Sequence, residues 1–274
     1  MTYKIVTDSS SDLLEMEGID FGVASLRILT AEREYVDDAR LDVEEMVRDL
    51  AAYRGRSSTS CPNAEDWLAA FGDADRVFCI TITGGLSGSC DAARTAKLIY
   101  EEEHPGRQVF VLDSLSTGPE MALVAESVRD RLLAGDGFEN VCEQVDMRRT
   151  GLLFVLSSLK NLANNGRVNP LVATVAGKLG IRMVGTASEE GTLELLHKCR
   201  GESRALETVE RCMIERGYAG GRVKISHCLN ESAALALRDS IIERFPQATV
   251  DVYPARGLCS FYAEHAGLLV GFEK

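Results

Sequence analysis

At 274 residues, with 45% apolar and 26% charged side chains, the chain is long enough for two compact domains with cores of their own. Its 42 acidic residues outnumber 30 basic ones, and a net charge of −12 without a basic run speaks against nucleic acid as a partner. No stretch approaches the roughly 20 apolar residues of a membrane span, and no signal-peptide core follows Met1, so a cytoplasmic setting is expected.

Hydrophobic periodicity predicts strands at Tyr3–Thr7 and Gly22–Leu29 and helices at Val43–Tyr53 and Ala64–Phe71. Strand Val77–Thr83, helix Ser89–Glu102, strand Val109–Leu112 and helices Glu120–Ala134 and Phe138–Arg149 follow. The runs Val77-Phe78-Cys79-Ile80 and Val109-Phe110-Val111-Leu112 are continuously apolar, the pattern of a parallel sheet covered on both faces. A further apolar strand, Leu152–Leu156, leads to the Gly/Asn-rich turn Asn164–Arg167 and then Pro170. Ile181–Ala187 and Thr192–Cys199 flank Glu189-Glu190-Gly191 as a hairpin. Helix Arg204–Arg216, strand Val223–His227, helix Ser232–Phe245, and strands Thr249–Tyr253 and Leu268–Phe272 complete the chain. The expected architecture is two α/β domains, 1–150 and 151–274, the first with a mainly parallel sheet and a ligand cleft between them.

Four Ser/Thr-rich turns punctuate the first half: Thr7–Asp12, Ser57–Pro62, Thr83–Ser89 and Asp113–Gly118. Three of them fall at carboxyl ends of strands, where open α/β sheets bind ligands. Thr83–Ser89 carries three glycines and three hydroxyls ahead of a helix, with no Lys, Arg or His inside it. Glycine admits close backbone approach, hydroxyls donate, and a helix N-terminus favours negative charge. Such a turn suits a carboxylate better than a polyphosphate. It lacks the lysine of a P-loop, and Gly85-Leu86-Ser87-Gly88 misses a hydrolase elbow by one residue. For Ser87 and Ser89, helix capping and ligand binding stand level on residue type alone.

Asp8 follows a strand as a phosphotransferase nucleophile would, but the second carboxylate such sites need is replaced by Ser10, which favours a capping role. Eight dispersed cysteines form no Cys-x-x-Cys, and His104, His197, His227 and His265 form no His-x-x-x-His. Reduced thiols and no bound metal or other cofactor are expected.

Taken together, the turns resemble those of the DegV family. Ile5–Leu13 is similar to its amino-terminal strand and turn, Thr59-Ser60-Cys61-Pro62 to its Thr-Ser-x-Pro, Leu86-Ser87-Gly88-Ser89 to its Leu-Ser-Gly-Thr/Ser, and Asp113-Ser114 to its Asp-Ser turn. Asn165-Gly166-Arg167-Val168 resembles its Gly-Gly-Arg-Ile, and Lys198-Cys199-Arg200-Gly201 its Lys-Val-Arg-Gly. The resemblance implies a long-chain fatty acid held at its carboxylate by Thr59 and Ser87, with Ser60, Gly85 and Ser89 beside them and the tail buried between the domains. It further implies a carrier with no catalytic residues of its own, presenting the carboxylate to a fatty acid kinase subunit. Two departures stand out. The third turn reads Thr83-Gly84-Gly85 where the family has two serines, and the family's Gly-Thr-His segment has no clean copy, matching either Arg256-Gly257-Leu258-Cys259, with Cys259 in the histidine's place, or His265-Ala266-Gly267 at a shifted register. Arg256, Ser260 and His265 are the alternatives for that head-group contact.

Two other classes compete: a phosphoryl or acyl transfer enzyme using Asp8 or Ser87, with His227 or His265 as base, and a regulator binding a small polar metabolite. Lys198, Arg200 and Arg204 form a basic cluster on an acidic chain, the expected docking surface for a kinase.

Overall fold

The computed structural model describes residues 1–169 and 180–274. Strands β1 (Tyr3–Asp8), β2 (Asp20–Ala24), β6 (Arg76–Thr81) and β7 (Gln108–Asp113) form a parallel sheet in the order β2-β1-β6-β7. Side chains alternate between its faces, and both faces are covered. Ile5, Phe78 and Ile80 pack under Met121, Val124 and Phe138, from helices α4 (Gly118–Leu133) and α5 (Phe138–Gln144). Val6, Val77 and Cys79 pack under α2 (Ala64–Phe71) and α3 (Ser89–Glu103), through Trp67, Phe71 and Ala96. Burial on both sides is why these strands read as unbroken apolar runs.

The second sheet has six strands in the order β10-β9-β8-β13-β11-β12. They are β8 (Thr150–Leu156), β9 (Ile181–Ala187), β10 (Leu193–Arg200), β11 (Arg222–His227), β12 (Thr249–Pro254) and β13 (Leu268–Glu273), mixed in direction, with only β11–β12 parallel. Leu153, Val155, Ile225 and Val270 point to one face, against Val209 and Met213 of α7 (Glu202–Glu215) and Leu237 and Ile241 of α8 (Glu231–Arg244). Leu152, Phe154, Leu156 and Leu269 point to the other, toward the first sheet. Helix α4 is wedged between the layers. Its start lies so close on β13 that a Cβ added to Gly271 would come within 2.4 Å of the Glu120 amide nitrogen.

The expected strand Gly22–Leu29 is in fact two. After β2 the chain leaves the parallel sheet, the Leu26 N–H goes to Ser9 Oγ (3.0 Å), and β3 (Arg27–Leu29) joins a small antiparallel sheet with β4 (Glu34–Val36) and β5 (Ser58–Ser60). The Thr59 segment, expected as a turn, is therefore a strand. Helix Phe138–Arg149 likewise stops at Gln144, because the chain must extend into β8 at Thr150. Helix α1 (Val43–Ala52) is as expected, started by Asp42, whose side chain caps Glu45 N. Among the described residues two short α-helices are additional: α6 (Lys160–Asn164), just before the Asn/Gly turn, and α9 (Gly257–Ala263). Pro170 lies outside the described residues.

Candidate functional site

A cavity with about 720 Å³ of free space, its open mouth included, lies between the six-stranded sheet and the turns of the first domain. The six-stranded sheet supplies one apolar wall through Leu152, Phe154, Leu156 and Leu269. Helix α9 supplies a second through Leu258, Cys259, Tyr262 and Ala263, and the first domain closes the space with Leu26, Ile82 and Leu86.

Polar groups are few. Thr59, at the middle of β5, shares a hydrogen bond of 2.8 Å with the Tyr262 hydroxyl. Ser87 Oγ accepts a long hydrogen bond from Ser89 N (3.3 Å), which leaves its own proton for an acceptor in the cavity. Arg167 reaches in from the turn after α6, its guanidinium donating to the carbonyls of Leu86 (3.2 Å) and Asn165. No carboxylate among the described residues pairs with it. Burial raises the Tyr262 pKa although Arg167 lies near, so Tyr262 stays a neutral phenol.

Of the residues singled out from sequence, the fold brings Thr59, Ser87 and Cys259 to this one cavity. The others have different surroundings. Ser60 pairs with Arg27 in the small sheet and, by strand alternation, faces away from Thr59. Gly85 lies against the β9–β10 hairpin tip, where a Cβ would meet the Glu190 carbonyl at 2.9 Å. The bond beside it, from Thr83 Oγ1 to the Gly191 carbonyl (2.8 Å), fastens the glycine-rich turn to that tip. Ser89 Oγ donates to Asp8 Oδ2 (2.7 Å), away from the cavity. Arg256 turns its guanidinium to the Asp38 carbonyl, and Ser260 Oγ donates to the Ala255 carbonyl (3.0 Å). His265 is exposed, its carbonyl taken by Ser157 Oγ (2.8 Å).

Asp8 is fully enclosed. Its oxygens accept from Ser10, the Ile82 amide and Ser89, and burial raises its pKa despite these donors. It stitches β1 to the loop after β6 and to the first turn of α3, and it offers no face to a substrate. Neither His227 nor His265 lines the cavity as a base for Ser87. Cys259, at the aligned histidine position, lines the wall with Sγ toward the Ser10 carbonyl (3.3 Å), and burial lifts its pKa well above the usual thiol range. A neutral thiol is neither a nucleophile nor a counter-charge. The arrangement can hold an anionic head group and an apolar tail.

Two groups at the site escaped residue-type reasoning. Tyr262 sits on a seven-residue helix with no sequence signal, and Arg167 belongs to a motif without a stated role. Its conspicuous neighbour Gly166, at φ 74°, marks the turn that aims it.

Two α/β layers with an apolar cleft between them, lined by the hydroxyls of Thr59 and Ser87, define a ligand-binding fold. The chain belongs to the DegV family: residues 2–271 match the family described as "Uncharacterised protein, DegV family". A DegV domain-containing protein of Streptococcus pneumoniae is 43% identical over 279 aligned positions, covering all of this chain and 99% of the relative. Among solved structures, a DegV family protein from Eubacterium eligens loaded with heptadecanoic acid superposes with a TM-score of 0.98 at 41% identity over the full length of both chains. The Streptococcus pneumoniae Fatty Acid Kinase (Fak) B3 protein, loaded with linoleic acid, superposes with a TM-score of 0.97 at 43% identity, over 100% of this chain and 99% of that one.

Proposed function

We propose that this protein binds a long-chain fatty acid and presents its carboxylate to a fatty acid kinase. The observation that carries this reading is the pairing of a long apolar wall with a small polar cluster that lacks a nucleophile–base pair. Thr59 and Ser87 donate to the carboxylate, and Arg167 adds a positive charge that a site of neutral hydroxyls would lack. Energetics assign the roles. Each buried methylene contributes about 0.8 kcal/mol, so roughly fifteen give about 12 kcal/mol gross. A hydrogen bond to a charged acceptor contributes about 1.5–3 kcal/mol. The tail therefore supplies affinity and the head contacts supply orientation.

The likeness to a fatty acid kinase protein at 43% identity supports the partner. The kinase would bring nucleotide and metal and carry out the phosphoryl transfer. The exposed cluster Lys198, Arg200 and Arg204 is our proposed docking surface. All eight cysteines are free thiols, which favours a cytoplasmic setting. We place the joint between the domains near residue 150, where β8 begins.

Mass spectrometry of an organic extract of the purified protein tests the reading. Stoichiometric fatty acid supports it. An empty extract, together with no uptake of added fatty acid, would remove it in favour of a polar ligand.

A further inference from the structure

Resting on the fatty-acid reading above, we infer that Phe154 and Gly185 together set the bore of the acyl channel and so select tails by shape. Phe154 is the middle of the three β8 side chains on the channel wall, and it is 1% exposed. It pairs directly with Gly185 on β9 on one side and with Leu269 on β13 on the other. The ring occupies the notch that the missing side chain of Gly185 leaves. A Cβ placed there would lie 2.2 Å from Phe154 Cζ and 2.5 Å from Cε2.

No such overlap is tolerated in a packed interior, so any side chain at position 185 must lift the ring off the sheet. With Gly185 and Leu269 on either side of Phe154 in the sheet, a displaced ring moves toward the channel that it lines. Glycine at 185 thus lets the bulkiest apolar residue of the wall lie flat and keeps lateral room beside it. A straight saturated chain needs little such room, whereas a chain with a mid-chain cis bend needs more. Width at this point discriminates between them at equal carbon number, where the total area buried differs little.

The experiment is competitive uptake of palmitic and palmitoleic acids at equal concentration, read by mass spectrometry of the washed protein. Phe154→Ala should shift the bound ratio toward the bent chain by about tenfold, the scale on which apolar pockets discriminate one or two methylenes. Phe154→Leu should move it the same way by less. Gly185→Ala should move it toward the straight chain, and Gly185→Ala with Phe154→Leu should return to the Phe154→Leu ratio, because the smaller side chain removes the clash. A Cβ at Gly185 also lies 2.4 Å from the Glu194 carbonyl and strains the hairpin, so Phe154→Leu is the deciding variant. A wild-type ratio in Phe154→Leu protein that still binds both acids overturns the inference and leaves the functional reading standing. Wild-type protein that takes up neither acid overturns both.

Discussion

Asp12 Oδ1 accepts the backbone N–H of Arg256 at 2.8 Å, joining the first turn of the chain to the start of α9 across 244 positions. Asp37 completes the arrangement, taking the N–H groups of Gly257 and Leu258, each at 2.8 Å. Two buried carboxylates of the first domain thus satisfy the free amides at the start of α9, as negative groups do at helix N-termini. Because α9 carries Cys259 and Tyr262, these acids also fix one wall of the cavity.

Burial of Asp12 makes stability depend on pH. Its carboxyl is pushed up from 3.8 to about 7, chiefly by desolvation, with the Asp37 charge adding to the shift. The folded state therefore keeps a proton that the unfolded chain has already lost, so stability falls as pH rises from about 4 to about 7 and levels off above. The contribution is on the order of 4 kcal/mol. Asp12 Oδ2 and Ser226 Oγ are both buried without a hydrogen bond, although the two side chains are close enough to interact. Asp12→Asn supplies an N–H for that pair, keeps the acceptor for Arg256, and suits the left-handed backbone at φ 61°. Urea midpoints should show the variant matching wild type at pH 4 and exceeding it at pH 8. Equal pH slopes in both proteins would contradict this account.

Ser87 and Ser89 should separate cleanly. Ser89→Ala leaves buried Asp8 short of one donor and should cost about 1–3 kcal/mol of stability with fatty acid affinity unchanged. Ser87→Ala gives up only the long bond from Ser89 N within the protein, so its effect should fall on the ligand, at about 1–3 kcal/mol in binding. Thermal melts and equilibrium binding on both variants check the pair. A Ser89→Ala protein of wild-type stability but weakened binding would reverse the assignment.

Thr59 and Ser87 should act together on the carboxylate. The double change Thr59→Ala and Ser87→Ala should retain lipid through the tail yet lose kinase-coupled turnover more than either single change, since phosphoryl transfer needs the carboxylate aimed outward. Full turnover with only a lowered melting temperature would reduce these hydroxyls to structural roles.

Reversing Arg200 and Arg204 to Glu should slow acyl phosphate formation at subsaturating protein and leave lipid binding intact. The effect should shrink at high salt, as expected of exposed charges. Unchanged kinetics would move the docking surface elsewhere.

Much of this was legible in the residues. Ala64–Phe71 and Ile181–Ala187 have the expected bounds, the first because Asn63 and Asp66 form a capping box. The Gly22–Leu29 run hid a change of sheet, since nothing local reports that Leu26 bonds to Ser9. Strands of three residues, such as Glu34–Val36, are too short to show a period. The hydroxyl-rich turns made Thr59 and Ser87 candidates, but residue type left capping level with ligand binding for Ser87, and the family resemblance singled the two out. Ser89 has the same chemistry, and only a partner 81 positions away decides its role. Arg167 and Tyr262 reach the cavity by tertiary packing alone.

The cavity wall runs from Leu26 to Leu269 and draws on the six-stranded sheet, on Thr59 of the small sheet and on the turn that follows β6. No contiguous fragment of the chain can enclose it, so the cavity closes only once β13 pairs with β8. On the proposed function, a bound fatty acid in turn favours the docked arrangement of the two halves by mass action. A cell short of fatty acid would then leave the empty protein with less free energy against unfolding, tying its abundance to the supply of its proposed ligand.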